Sequence, residues 1–252
     1  MSLLPQIFPP FPHRQEFDIY ALIHPAREVG GDFYDFFFID DEHLCFVIGD
    51  VSGKGVPAAL FMAVTKTLIK VTSSPGIAPG EILTRVNREL CQGNDSCMFV
   101  TILCGVLNTT TGEIFYANGG HNDPFILRRE NEALRLEGNR ELVVGAMENT
   151  VYETRQTRLQ PGESIFLYTD GVTEAVNEKG ELFSDERLRT KITSLQGDPP
   201  EEVIAGVAEE VAQFSQNMPQ ADDITMMMIR FRGKPGNPKP DHPEGPVMRK
   251  GP

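Results

Sequence analysis

The sequence has no C-x-x-C pair, no two histidines spaced i, i+4, no polycationic run and no apolar stretch of 18 residues. Each absence removes a class of function. Cys45, Cys91, Cys97 and Cys104 stand singly, two of them inside the apolar runs "HLCFVI" and "VTILCGV", where a free thiol behaves as a small hydrophobe. They read as buried thiols in a reducing compartment, not as a zinc site. His13, His24, His43, His121 and His242 are equally scattered and form no helical metal pair. With 23 Lys+Arg against 36 Asp+Glu, a formal net charge of −13, the chain repels nucleic acid and anionic membrane surfaces. The opening "MSLLPQIFPPFPHR" carries no signal-like apolar region, so no membrane insertion of this segment is expected and a cytoplasmic location is.

What is present is enough apolar content, 40% of 252 residues, for one substantial core. Residues 1–12 carry Pro5, Pro9, Pro10 and Pro12 and read as a linker, the join downstream of a sensor or coiled-coil segment. Residues 233–252 are half Pro or Gly and read as a disordered tail, leaving 13–232 as the folded body. Within it, "FDIYALIHP", "FYDFFFID" and "HLCFVIGD" predict three strands. A helix follows in which Val56, Ala59, Leu60, Ala63, Val64, Thr67, Leu68 and Val71 step by three and four, the period of one buried face. Phe61, Met62 and Ile69 lie off that stripe and suggest a second covering, by a helix or a partner. Pro79 opens another helix, strands dominate to "ESIFLYTD", and two more helices follow, the first with Ser184 as its N-cap. "ITMMMIRF" closes the body as a strand. Blocks of strands alternating with blocks of helices, joined by hairpin-length connections, predict an α+β sandwich of largely antiparallel sheets.

The acids are placed non-randomly. Asp32 precedes "FYDFFFI", Asp50 ends "CFVIGD", Asp170 ends "IFLYTD", and Asp222 and Asp223 precede "ITMMMIRF". A lone aspartate at a strand end commonly just starts a turn. Four such sites, two of them beside glycines that would let backbone close on a bound ion, point further. Gathered carboxylates repel one another unless a cation compensates, and an all-oxygen donor set suits Mg²⁺ or Mn²⁺. A dinuclear site of that kind could activate a water for attack on a phosphoryl group.

The runs "EVGGDFYDFF", "GDVSGKGVPAALFM", "ANGGHNDPFIL", "YTDGVTEA" and "ADDIT", in this order over about 200 residues, closely resemble the SpoIIE/RsbU-type bacterial branch of the PPM metal-dependent Ser/Thr protein phosphatases. The resemblance implies a PPM α-β-β-α sandwich with two divalent metals, Mn²⁺ or Mg²⁺, at the sheet edge. Asp50 would bridge both, joined by the backbone carbonyl of Val51. Asp170 and Asp222 would complete the primary site, and Asp32 would hold water or a weaker metal. On "DDIT", Asp222 takes the metal aspartate's place and Asp223 that of a neighbouring asparagine; a one-residue shift exchanges them, so both stand as ligand candidates. Arg27 falls where relatives of eukaryotic type carry a phosphate-binding arginine. The histidine that those relatives place after the bridging aspartate is missing from Asp50-Val51-Ser52-Gly53-Lys54, and Lys54 reads as a solvated loop lysine rather than its replacement. Asn118, Gly119, Gly120 and His121, and Ser184 where the branch commonly has glycine, depart from the usual pattern without removing a ligand. The implied substrate is a phosphorylated STAS-domain protein in a partner-switching, sigma-regulating cascade, with an upstream sensor or activator and a homodimer both allowed for. The alternative is a non-catalytic or partner-activated binding switch, a pseudophosphatase docking through the helix around 56–71.

Overall fold

Ten strands and five helices are built from residues 4–5, 8–28, 30–129, 132–136, 138 and 141–233, the residues that the computed structural model describes. The tail predicted from 233 onward lies outside them except for Gly233. In chain order the elements are β1 (Phe17–His24), β2 (Phe33–Phe38), β3 (His43–Val51), α1 (Val56–Thr72), α2 (Pro79–Cys91), β4 (Val100–Asn108), β5 (Glu113–Gly119), β6 (Phe125–Arg128) and β7 (Glu132–Arg135). There follow β8 (Arg155–Arg158), β9 (Ser164–Tyr168), α3 (Asp170–Thr173), α4 (Ser184–Ser194), α5 (Pro200–Phe214) and β10 (Ile224–Phe231). One sheet runs β1-β10-β9-β6-β7 and the other β2-β3-β4-β5-β8, with every strand pairing antiparallel.

Alternation along the strands divides the apolar residues into three layers. Ile19, Phe36, Phe46, Leu103, Ile165 and Ile229 fill the space between the sheets. Val47, Ile102 and Cys104 face outward under α1 and α2, while Phe166, Met226 and Met228 face outward under α4 and α5. The result is the expected α-β-β-α sandwich. The stretch before His13 is anchored to it: Phe8 lies against Tyr20 and Phe11 against Phe38, with ring centroids 4.7 and 5.0 Å apart.

Helix α1 turns the opposite way to the sequence expectation. Ala58, Met62, Thr65 and Ile69 are buried on the sheet, whereas Val56, Leu60, Val64 and Val71 are 52–69% exposed. Both sides of this helix are apolar, so periodicity detects a stripe without saying which stripe is covered. Its orientation is settled by the larger Met62 and Ile69 and by Lys66, whose Nζ reaches the buried Asp35 carboxylate on the outer face of β2 at 2.6 Å. Met62→Ala is therefore expected to cost about 2–4 kcal/mol in urea denaturation. Leu60→Ser should stay within about 0.5 kcal/mol, and the reverse order would contradict this packing.

Ser184 is not a side-chain cap. It has φ of 73°, the left-handed region that favours glycine, and α4 starts without a side-chain capping bond. Ser184→Gly should add about 0.5–1 kcal/mol in the same assay.

Candidate metal centre

The register brings the strand-end acids to one rim. Phe33 pairs with Gly49, which sets Asp32 beside Asp50 on neighbouring strands. Tyr34 and Ile48 point into the inter-sheet core, so Asp32 and Asp50, two residues away on each strand, share that face. On the other sheet Met226 pairs with Tyr168, which carries Asp170 to the start of β10, directly after Asp222 and Asp223. Acids as far apart in sequence as Asp32 and Asp223, 191 residues, thus meet where the two sheets open.

Asp32 is the deepest of the group at 3% exposure. Its Oδ2 accepts hydrogen bonds from Thr169 Oγ1, directly after β9, at 2.8 Å and from Thr225 Oγ1, on β10, at 2.6 Å. Burial, then the neighbouring Asp50, hold its pKa well above the usual carboxylate range. Burial pushes Asp50 up to about 7, with Asp170 and Asp222 adding repulsion. Asp170 is raised by burial and then by Asp222. Glu174, four residues after Asp170 and not singled out from sequence, is raised by burial and then by Asp170 and Asp222. These shared shifts are the signature of acids brought together without a compensating charge.

Asp222 and Asp223 do different things. Asp223 is buried, and its Oδ1 accepts from the Ala26 N–H at 2.8 Å while Oδ2 accepts from the N–H groups of Gly31 at 2.8 Å and Asp32 at 3.3 Å. Asp222 is half-exposed and receives Lys54 Nζ at 3.3 Å; the same ammonium donates to the Ala221 carbonyl at 2.9 Å. Lys54 is thus an exposed loop residue, as expected, whose ammonium also bonds Asp222 and the Ala221 carbonyl. Arg27 is exposed and lines the small recess shared by Asp50, Lys54 and Asp222. The Val51 carbonyl faces Gly31, where a Cβ would come within 2.9 Å of it.

Two glycines beside the acids are packed against Asp223. A Cβ on Gly30 would lie 2.2 Å from Asp223 Oδ2, and one on Gly171 would lie 2.0 Å from the Asp223 carbonyl oxygen. Asp223 occupies the space that a side chain at either position would need, whereas Gly53 and Gly55 in the loop after Asp50 have open space around them and φ of 87° and 79°.

Around the rim, Thr101 stands opposite Asp50 on β4, and its Oγ1 lies 2.8 Å from His121 Nδ1. Asn118 Oδ1 accepts from the His121 N–H at 2.7 Å, and Asn118 Nδ2 donates to the His121 carbonyl at 3.0 Å. The "NGGH" run is a self-bonded crossing from β5 toward β6. Sequence reading missed Thr169, Thr225 and Glu174, although each stands within four residues of an aspartate that it did identify.

Among the described residues no three carboxylate, histidine or cysteine side chains are already gathered as a metal cage. The donor chemistry still fits a hard cation: the ionisable acids are oxygen donors only, and Asp50, Asp170 and Glu174 are held above their usual range by burial and then by neighbouring carboxylates.

Comparison with known proteins agrees with this geometry. Residues 40–232 match the family model described as Stage II sporulation protein E (SpoIIE). Protein IcfG of Synechocystis is 32% identical over 86% of this chain and 38% of its own length. Phosphoserine phosphatase RsbU of Bacillus subtilis is 31% identical over 87% of this chain and 64% of its own. The chain therefore spans less than two thirds of either relative. Among solved structures, the RsbU and RsbW domains of Rv1364c from Mycobacterium tuberculosis superpose with a TM-score of 0.76 at 27% identity, over 86% of this chain and 62% of that one. RsbX in complex with magnesium superposes at 0.66 with 14% identity, over 86% of this chain and 98% of that one, a likeness of fold.

Proposed function

Since the chain belongs to the SpoIIE/RsbU-type branch of the PPM (PP2C-type) serine/threonine phosphatases, we propose that it is itself a metal-dependent phosphoprotein phosphatase. The observation that carries this reading is the meeting of Asp32, Asp50, Asp170 and Asp222 at one rim, three of them with raised pKa values. Two divalent cations, Mn²⁺ or Mg²⁺, would be held by Asp50, the Val51 carbonyl, Asp170 and Asp222. When bound, they supply a water of lowered pKa and neutralise charge on the phosphoryl oxygens. Asp32, fixed by two threonine hydroxyls, would hold a proton or orient water at the floor of the site. Asp223 would shape the centre from behind, because its oxygens already serve three backbone donors. Of the two adjacent acids, Asp222 is the one open to an ion.

Arg27 and Lys54 are the cations flanking the recess and would face the substrate phosphate. Lys54 must first leave Asp222. Lys54→Met is therefore expected to tighten Mn²⁺ binding about two- to fivefold in titration calorimetry, the range of an exposed ion pair removed, and weaker binding would remove Lys54 from this role.

The substrate class that RsbU-type relatives suggest is a phosphoserine or phosphothreonine protein of STAS type in a partner-switching, sigma-regulating pathway. The test is release of phosphate from p-nitrophenyl phosphate and from a phosphorylated STAS protein, with Mn²⁺ and with chelator. Turnover that needs the metal supports the reading, and equal rates in chelator refute it. One observation favours a second, partner-activated reading: the uncovered apolar stripe Val56, Leu60, Val64 and Val71 on α1, directly after the Asp50 loop. On that reading Mn²⁺-dependent turnover would rise on adding the regulatory partner, and Leu60→Ser would abolish the rise alone.

A further inference from the structure

A groove of about 480 Å³ opens beside the acid rim and shares Asp222 with the small recess that Lys54 lines. Gly171 and Asp222 form its inner end, so it is continuous with the proposed catalytic centre. Its floor is apolar: Ala208, Val211 and Ala212 from the C-terminal half of α5, with Ile224 from β10. Its outer wall is the connection from Ser215 to Ala221.

That wall is built rather than loose. Ser215 Oγ donates to the Val211 carbonyl at 2.7 Å and the Met218 N–H to the Ser215 carbonyl at 2.9 Å. Asn217, in the left-handed region at φ 70°, bonds Glu178 at 3.0 Å through Nδ2. Gln220 Nε2 donates to the carbonyls of both His24 and Asp222 at 2.7 Å, tying the wall to β1 and to the rim.

The chemistry of the lining narrows the occupant. No lysine or arginine lines the groove, which argues against a second phosphate, a nucleotide or a lipid headgroup. The small alanines leave room for aliphatic side chains, while Gln216, an exposed amide on the wall, is of the kind that pairs with main-chain groups. The volume lies within the roughly 300–1,000 Å³ of ordinary ligand sites. Given the phosphatase reading above, on which this inference rests, we propose that the groove binds the stretch of substrate polypeptide flanking the phosphorylated residue. An aliphatic side chain of that stretch sits on the alanine floor. Asp222 is the divider between phosphate recess and peptide groove, so sequence selectivity and metal binding share one side chain.

The test uses fluorescein-labelled phosphoserine nonapeptides that differ only in carrying leucine or glycine on either side of the phosphoserine, with p-nitrophenyl phosphate as the reference. Ala212 is exposed on α5, so Ala212→Trp fills the groove without entering the core. The wild type should bind and turn over the leucine peptides with about tenfold advantage, the size of a lost aliphatic contact. Ala212→Trp should erase that advantage in both polarisation and kcat/KM, while p-nitrophenyl phosphate turnover stays unchanged and Ala212→Ser behaves as wild type. A leucine preference that survives Ala212→Trp overturns the proposal. If the wild type hydrolyses nothing, the phosphatase reading fails, and peptide binding measured by polarisation still decides the groove.

Discussion

Replacing Asp50 by asparagine is expected to lower metal-dependent turnover on the order of 10³-fold or more, and at the same time to stabilise the metal-free protein. The two effects share a cause. Asp50 sits among Asp32, Asp170 and Asp222, and burial with that crowding raises it to about 7. An unfolded aspartate titrates near ~4, so between about pH 4 and 7 the folded chain holds a proton that the unfolded chain has lost. The Asp50 contribution to the stability of the metal-free protein therefore falls as pH climbs through that window and levels off above it. Asp32 and Asp170 shift in the same direction and deepen the fall. Asparagine removes the Asp50 share, worth a few kcal/mol at about 1.4 kcal/mol per unit. Thermal melts in chelator, from pH 5 to 8, check this: Asp50→Asn should melt higher than wild type at pH 8 and show a flatter pH profile. A variant that melts lower at pH 8 would mean that Asp50 is stabilised by contacts rather than strained by its neighbours.

The second large effect belongs to Asp223 and has the opposite sign. Asp223→Ala leaves the N–H groups of Ala26, Gly31 and Asp32 without their acceptor. Hydrogen bonds to a charged acceptor contribute about 1.5–3 kcal/mol each, and orphaned buried donors add a penalty, so a total loss of about 3–5 kcal/mol is expected. Asp223→Asn keeps one carbonyl oxygen and should lose about half as much. Because the cost comes from backbone donors, it appears in urea denaturation with chelator present. Unchanged stability in chelator together with lost Mn²⁺ affinity would instead make Asp223 a ligand and Asp222 its support.

Much of this was legible before the fold was known, for identifiable reasons. Strand alternation and hairpin-length connections gave the α+β class, and the SpoIIE-like runs gave the sandwich type. The acids stood out because each ends or precedes an apolar strand. What escaped was partnership across the chain. Nothing local in "DDIT" says that Asp223 turns inward to Gly31, 192 residues away, while Asp222 turns out to Lys54. The volume that Asp223 occupies beside Gly30 and Gly171 exists only once the sheets are stacked. Helix α1 shows the same limit, since a helix apolar on both sides carries two equally periodic solutions. Ser184 shows the reverse: the oddity was visible as a departure from glycine, and its left-handed φ explains it.

The strand order carries a consequence for biosynthesis. In the first sheet β10 lies between β1 and β9, although it is the last of the described strands in chain order. Phe17 pairs with Phe231 across nearly the whole body, so β1 has no neighbour in its sheet until translation has passed residue 231. Contacts of such separation form slowly and late. Asp222 and Asp223 enter with that same strand, and Thr225 completes the hold on Asp32. A nascent chain still lacking β10 would thus expose the edges of β1 and β9 together with an unfinished acid rim.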